Sequence, residues 1–162
     1  MKKIFLLFTA AVLSAGMASA QDINQATENY NNGAMELQMG NNEAAIENFQ
    51  AALTMGEALG DEGADLVANC KKAIASATLS MAKDLYNAKD FEGAAAAFVK
   101  AKEVAEGYGE TEIAEEAAEL VNQANALKFN TDGKAAMKAK DYPTAISCFT
   151  KVLELDPTNG AT

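Results

Sequence analysis

Few residues in this sequence have the types and spacing that chemistry needs. Glu112, Glu115, Glu116 and Glu119 gather four carboxylates within one short stretch. Such a cluster can hold a calcium ion, or divide into a general acid and a general base. Its spacing instead places the acids in the first turns of a helix, where they face the positive end of the helix dipole, and no loop supplies calcium's ring of oxygens. Asp61-Glu62-Gly63-Ala64-Asp65 has a fragment of a calcium loop, without the regular oxygen spacing or the closing glutamate, and reads as a turn followed by a helix start. Ser76, Ser80, Ser147, Cys70 and Cys148 are nucleophiles by type, but the chain contains no histidine to activate any of them. Gly56, Gly60 and Gly63 follow no strand, and no Gly-Lys-Ser or Gly-Lys-Thr occurs, so a phosphate-cradling loop is absent. The residues favour no metal, no cofactor and no enzyme activity.

Composition points the same way. The 162 residues contain no histidine, tryptophan or arginine, and all 13 basic residues are lysine against 23 acids, a net charge of −10. Without arginine there are no bidentate phosphate clamps. The acidic balance excludes a nucleic-acid-binding surface, which needs clustered cations. Cys70 and Cys148 are too few and too far apart to form a disulfide framework, and read as small thiols on helix faces.

The elements that position these residues begin after a leader. Met1-Lys2-Lys3 is followed by an apolar run to Met17 and by Ala18-Ser19-Ala20, the pattern of a secretory signal peptide cleaved before Gln21. The run is shorter than the roughly 20 apolar residues that cross a bilayer, so no membrane anchor is expected after cleavage. A lysine-led leader of this form implies export from a bacterial cell, to the periplasm or beyond. Residues 21–162 then carry a net charge of −12, since two lysines leave with the leader.

Within 21–162 only Pro143 and Pro157 interrupt, alanine is abundant, and no alternating β-branched stretch reads as a strand, which predicts an all-α fold. Breaks at Gly40-Asn41-Asn42, Gly60-Asp61-Glu62-Gly63, Ala88-Lys89-Asp90, Gly107-Tyr108-Gly109 and Lys140-Asp141 delimit six helices, at about 23–39, 43–59, 64–88, 92–106, 111–139 and 143–155. A pattern recurs across them. Ala45, Phe49 and Ala52 match Ala94, Phe98 and Ala101, and then Ala145, Phe149 and Val152. Each set follows, at a constant distance, a small residue (Gly33, Ala82, Gly133) and a turn residue (Asn41, Asp90, Asp141). Positions four and three apart share one helix face, so each set forms a stripe. The small residue lets the preceding helix approach, and the phenylalanine fills the space beside it. The short turn folds the pair antiparallel, giving three helical hairpins.

These residues resemble the tetratricopeptide repeat, whose pattern runs small residue, turn, Ala-x3-Phe, small residue, proline. The third copy is the fullest, with Phe129, Gly133, Ala136, Asp141-Tyr142, Ala145, Phe149, Val152 and Leu155-Asp156-Pro157; the first lacks apolar residues at Asn32 and Glu36. The copies lie at about 26–59, 75–108 and 126–159, in one domain over 21–162. They start 49 and 51 residues apart, against about 34 in the family. The surplus is expected as about two extra turns on each second helix and on the start of each following first helix. Leu66, Val67, Cys70 and Ile74, like Ile113, Ala117, Leu120, Val121 and Ala124, form buried stripes on those extensions.

The resemblance implies a short α-solenoid that binds protein, with the exposed side of each first helix lining a concave groove. By register the groove residues are Tyr30, Ala34 and Leu37, then Leu79, Lys83 and Tyr86, then Asn130, Lys134 and Met137. An aromatic and apolar surface with lysines suits a peptide or protein segment bearing acidic groups. One subclass of the family clamps a terminal carboxylate with lysines, asparagine and arginine. Tyr30 and Ala34 stand where that clamp begins and arginine is absent, so that specificity is not expected. Repeat arrays finish on a polar capping helix, and none follows Pro157. That leaves three expectations for the face around Ile146, Val152 and Leu153: a longer array, an atypical cap, or another subunit. The corresponding alternatives to a binding scaffold are a self-associating envelope component and the first module of a larger exported protein.

Overall fold

The computed structural model describes residues 20–156; most of the expected leader and the residues from Pro157 onward lie outside them. Six helices follow in order, with no strand among the described residues: α1 (Ala20–Gln38), α2 (Asn42–Ala58), α3 (Ala64–Asn87), α4 (Phe91–Tyr108), α5 (Thr111–Ala139) and α6 (Tyr142–Leu155). A 3-10 turn, Gly60–Gly63, joins α2 to α3 at the Asp-Glu-Gly segment.

The hairpin turns share one stereochemistry. Gly40, Lys89 and Lys140 adopt left-handed φ values of 80°, 64° and 60°. The next residue then bonds back to close each first helix: Asn41 N–H to Glu36 O at 2.9 Å, Asp90 N–H to Leu85 O at 3.0 Å, and Asp141 N–H to Ala136 O at 2.9 Å. The same residue starts the second helix. Asp90 Oδ1 accepts from the Gly93 amide at 3.0 Å and Asp141 Oδ1 from the Thr144 amide at 3.2 Å. Asn41 makes no such cap, and its amide donates to Glu36 Oε2 at 2.8 Å.

Packing follows the repeated motif. Phe49 and Phe98 are wholly buried, each with about 1.5–3 kcal/mol of burial free energy. Gly33 lies against the Phe49 ring, Gly133 lies against the Phe149 ring, and Ala82 shares a core cluster with Phe98. Consecutive helices pack along their lengths. In addition α1 touches α3 and α3 touches α5, whereas α2, α4 and α6 make no comparable contacts with one another. The first helices therefore form the inner side of the array.

The surplus length is distributed differently from the expectation. α2 and α4 have 17 and 18 residues against 14 in α6, about one extra turn, while α3 and α5 reach 24 and 29. Most of the addition is thus in the first helices, because their leading halves do a separate job. Leu66, Val67, Cys70 and Ile74 of α3 cover Ile46, Phe49 and Leu53 of α2. Ile113, Ala117, Leu120, Val121 and Ala124 of α5 cover Ala94, Ala95, Phe98 and Ala101 of α4. Their trailing halves pair with α4 and α6.

Candidate functional site

The inner face is assembled from the register positions of α1, α3 and α5. On α1, Tyr30, Ala34 and Leu37 are half-buried against the Phe49 cluster, with the Tyr30 and Phe49 ring centroids 5.3 Å apart. On α3, Tyr86 sits beside Phe91 and Phe98 at 5.6 and 6.1 Å, so core rings hold its orientation. On α5, Asn130 is half-buried, while Lys134 and Met137 are exposed.

Two of the sequence-predicted residues behave differently. Leu79 is only 4 % exposed and packs with Ala82, Ala94, Ala117 and Ala124, so it belongs to the core and not to the groove surface. The leading half of α5 folds over it. Lys83 reaches Glu116 Oε1 at 2.7 Å, so its charge is answered by the neighbouring helix. This half-exposed bridge ties α3 to α5 and contributes about 0.2–1 kcal/mol. At the far end, Val152 is 6 % exposed and is a core residue; the open face there belongs to Tyr142, Ile146 and Leu153.

Where α5 runs past the end of α3, a notch of about 510 Å³ opens between α3, α5 and the end of α6. Tyr86 and Asn130 line it, joined by Glu119, Asn122, Gln123, Leu127 and Leu155. Three side-chain amides in one hollow supply both donors and acceptors. The sequence reading missed the added residues, although 119, 122, 123, 126, 127 and 130 repeat at helical spacing and so mark one face of α5. A second hollow, about 760 Å³, lies between the start of α2, the end of α3 and α4, around Met81, Leu85 and Ala97. There Asn42 donates to Asp84 Oδ2 at 2.8 Å, joining the first hairpin to the second.

The described residues contain no group of three or more histidine, cysteine or acidic side chains arranged to hold a metal ion. No described helix is long and apolar enough to cross a membrane. Cys70 and Cys148 are free thiols. Burial pushes the Cys70 thiol up to about 11, which suppresses its nucleophilic thiolate.

Fold and face together define an all-α array of helical hairpins with a recessed inner surface. The chain is 45 % identical over 38 residues to Protein STIP1 homolog of Dictyostelium discoideum, a protein containing tetratricopeptide repeats. That similarity covers 24 % of this chain and 7 % of the relative, so the chain spans a small part of that protein's length. No family model matches the chain. No solved structure matches it.

Proposed function

We propose that this protein is a non-catalytic interaction scaffold that holds a peptide or protein segment along the inner face of α1, α3 and α5. The observation that carries this reading is the notch beside α5, where Tyr86 and Asn130 meet the amides of Asn122 and Gln123. Amide side chains can pair with the backbone of an extended segment in either sense, and an anchored tyrosine adds contact area with little entropy loss. Lys134 and Met137, both exposed, continue this surface along α5. The local similarity to a repeat protein supports the same class of function. Following the leader motif in residues 1–20, the scaffold works outside the cytoplasm, in a bacterial periplasm or as a secreted component.

The test is affinity capture from envelope extract by residues 21–162, with bound proteins identified by mass spectrometry. The double variant Lys134→Glu, Met137→Glu should lose the captured protein while keeping its melting temperature, because neither side chain is in the core. Equal capture by the variant would refute the groove.

A further inference from the structure

The first hairpin departs from the other two at its turn. Asp90 and Asp141 cap α4 and α6 by accepting from the amides of Gly93 and Thr144. The matching Asn41 turns its side chain to Glu36 instead, and leaves the Ala44 amide of α2 without a side-chain cap. At the next position, where the later copies carry Phe91 and Tyr142, the first copy has Asn42. Asn42 is 6 % exposed, and its Nδ2 donates to Asp84 Oδ2 at 2.8 Å. Because a carboxylate only accepts, this bond fixes which end of the amide is the oxygen. That oxygen, Asn42 Oδ1, has no hydrogen-bond partner among the described residues, a costly state for a buried acceptor.

These groups converge on the hollow of about 760 Å³ between the start of α2, the end of α3 and α4. Asn42, Glu43, Ala44 and Asp84 line it together with the apolar Met81, Leu85 and Ala97, and none of its lining residues is basic. Met81 and Ala97 also border a narrower extension of about 160 Å³, which runs on past Ile74, Thr78 and Val104. Thr78 donates its hydroxyl to Ile74 O at 2.8 Å, so the polar group of that residue is spent within its own helix. One place thus holds an uncapped amide at a positive helix end, an unpaired acceptor, two carboxylates and an apolar slot. We propose that this hollow binds the amino-terminal residue of a peptide whose first side chain is apolar. The ammonium lies beside Asp84 and Glu43 and brings the donor that Asn42 Oδ1 lacks. The first carbonyl accepts from the Ala44 amide, and the side chain lies on Met81, Leu85 and Ala97.

A free amino acid fits less well. Its carboxylate would meet Glu43 and Asp84, against which a helix N-terminus offers only about half a positive charge. A lysine side chain brings an ammonium without the adjacent carbonyl that the Ala44 amide requires. The site shares no lining residue with the notch beside α5, so it stands or falls independently of the inner face.

Residues 21–162 with isotope-labelled methionine methyls provide the test by NMR, because Met81 lines the hollow while Met35 and Met137 do not. Leucinamide is the probe for an amino-terminal residue. It should shift the Met81 methyl saturably, with a roughly millimolar Kd, and leave the methyls of Met35 and Met137 in place. N-acetylleucinamide, which lacks the charge, and free leucine should each bind about fivefold more weakly. Asp84→Asn should weaken leucinamide about fivefold. If that variant melts lower because Asn42 loses its carboxylate, Glu43→Gln, a change at an exposed side chain, should weaken binding about twofold with unchanged melting. Absence of a saturable Met81 shift, equal binding of the acetylated probe, or binding indifferent to the charge changes overturns the proposal. So does free leucine binding as tightly as leucinamide, since the hollow would then serve a free amino acid.

Discussion

Replacing Gly33 with alanine tests whether the repeat is built on close approach of helix to phenylalanine. In a helix interior alanine is favoured over glycine by about 0.8–1.0 kcal/mol, so propensity alone predicts stabilisation. Packing opposes it. A Cβ at Gly33 would lie 2.7 Å from Phe49 Cδ1, 2.8 Å from Cε1 and 3.1 Å from the Ala45 carbonyl oxygen. Carbon atoms pack comfortably at about 3.5–4.0 Å, so the ring would have to retreat by nearly an ångström. Phe49 is 1 % exposed and has little room to do so. Overpacking of this kind costs about 1–3 kcal/mol, and the net effect is a loss of up to about 2 kcal/mol. Gly107, in the last turn of α4, is the control, because a Cβ there meets nothing within 4 Å, and Gly107→Ala should gain part of the interior propensity term, up to about 0.8–1.0 kcal/mol. Gly133→Ala should fall between, since its Cβ meets Phe149 at 2.8 Å but that ring is half-exposed and can shift. Urea denaturation followed by far-UV circular dichroism ranks the three variants. A Gly33→Ala midpoint raised as far as that of Gly107→Ala would show that the Gly33–Phe49 contact does not constrain the hairpin.

Further outcomes follow from the turns and the thiols. Lys89→Gly and Lys140→Gly should each raise the unfolding free energy by about 1 kcal/mol, since both lysines hold left-handed φ values that glycine adopts without strain; a lower urea midpoint for both would contradict the turn geometry. The Asp141 carboxyl is held below the ordinary aspartate range by its hydrogen bonds with Thr144. A lowered folded pKa means that its stabilisation is complete above the unfolded value and is lost as pH falls through the folded one, so a pH titration monitored by NMR should place Asp141 below an unstructured aspartate. At neutral pH a thiol reagent should modify half-buried Cys148 well before Cys70, whose burial and raised pKa of about 11 both protect it. Faster modification of Cys70 would contradict its place in the core.

Much of the architecture was legible because its signals are local. Glycine and the Lys-Asp pairs mark the turns, and five of the six helices begin within one residue of the positions read from sequence. The contact of Gly33 with Phe49 and of Gly133 with Phe149 follows from the constant spacing between small residue and ring. Groove membership was less legible. Leu79 shares the register of Tyr30 and Asn130 but disappears beneath α5, and Lys83 is claimed by Glu116, which lies 33 residues further along the chain. Helical periodicity fixes which side chains share a face of their own helix; it does not say which neighbour will cover that face.

By itself, then, the sequence determined an all-α chain of three hairpins, their turns, the stripe each second helix buries, and a composition poor in the groups that catalyse. Each of these is set by contacts within a few turns, or by the kinds of side chain present. Tertiary structure alone decided that α3 and α5 carry most of the extra length, that Ile146 is left open while its matches are covered, and that a notch gathers Tyr86 with the amides of α5. Those outcomes depend on the angle and offset at which one hairpin stacks upon the next. Many small packing contacts between helices distant in sequence set that geometry together, and no single motif encodes it.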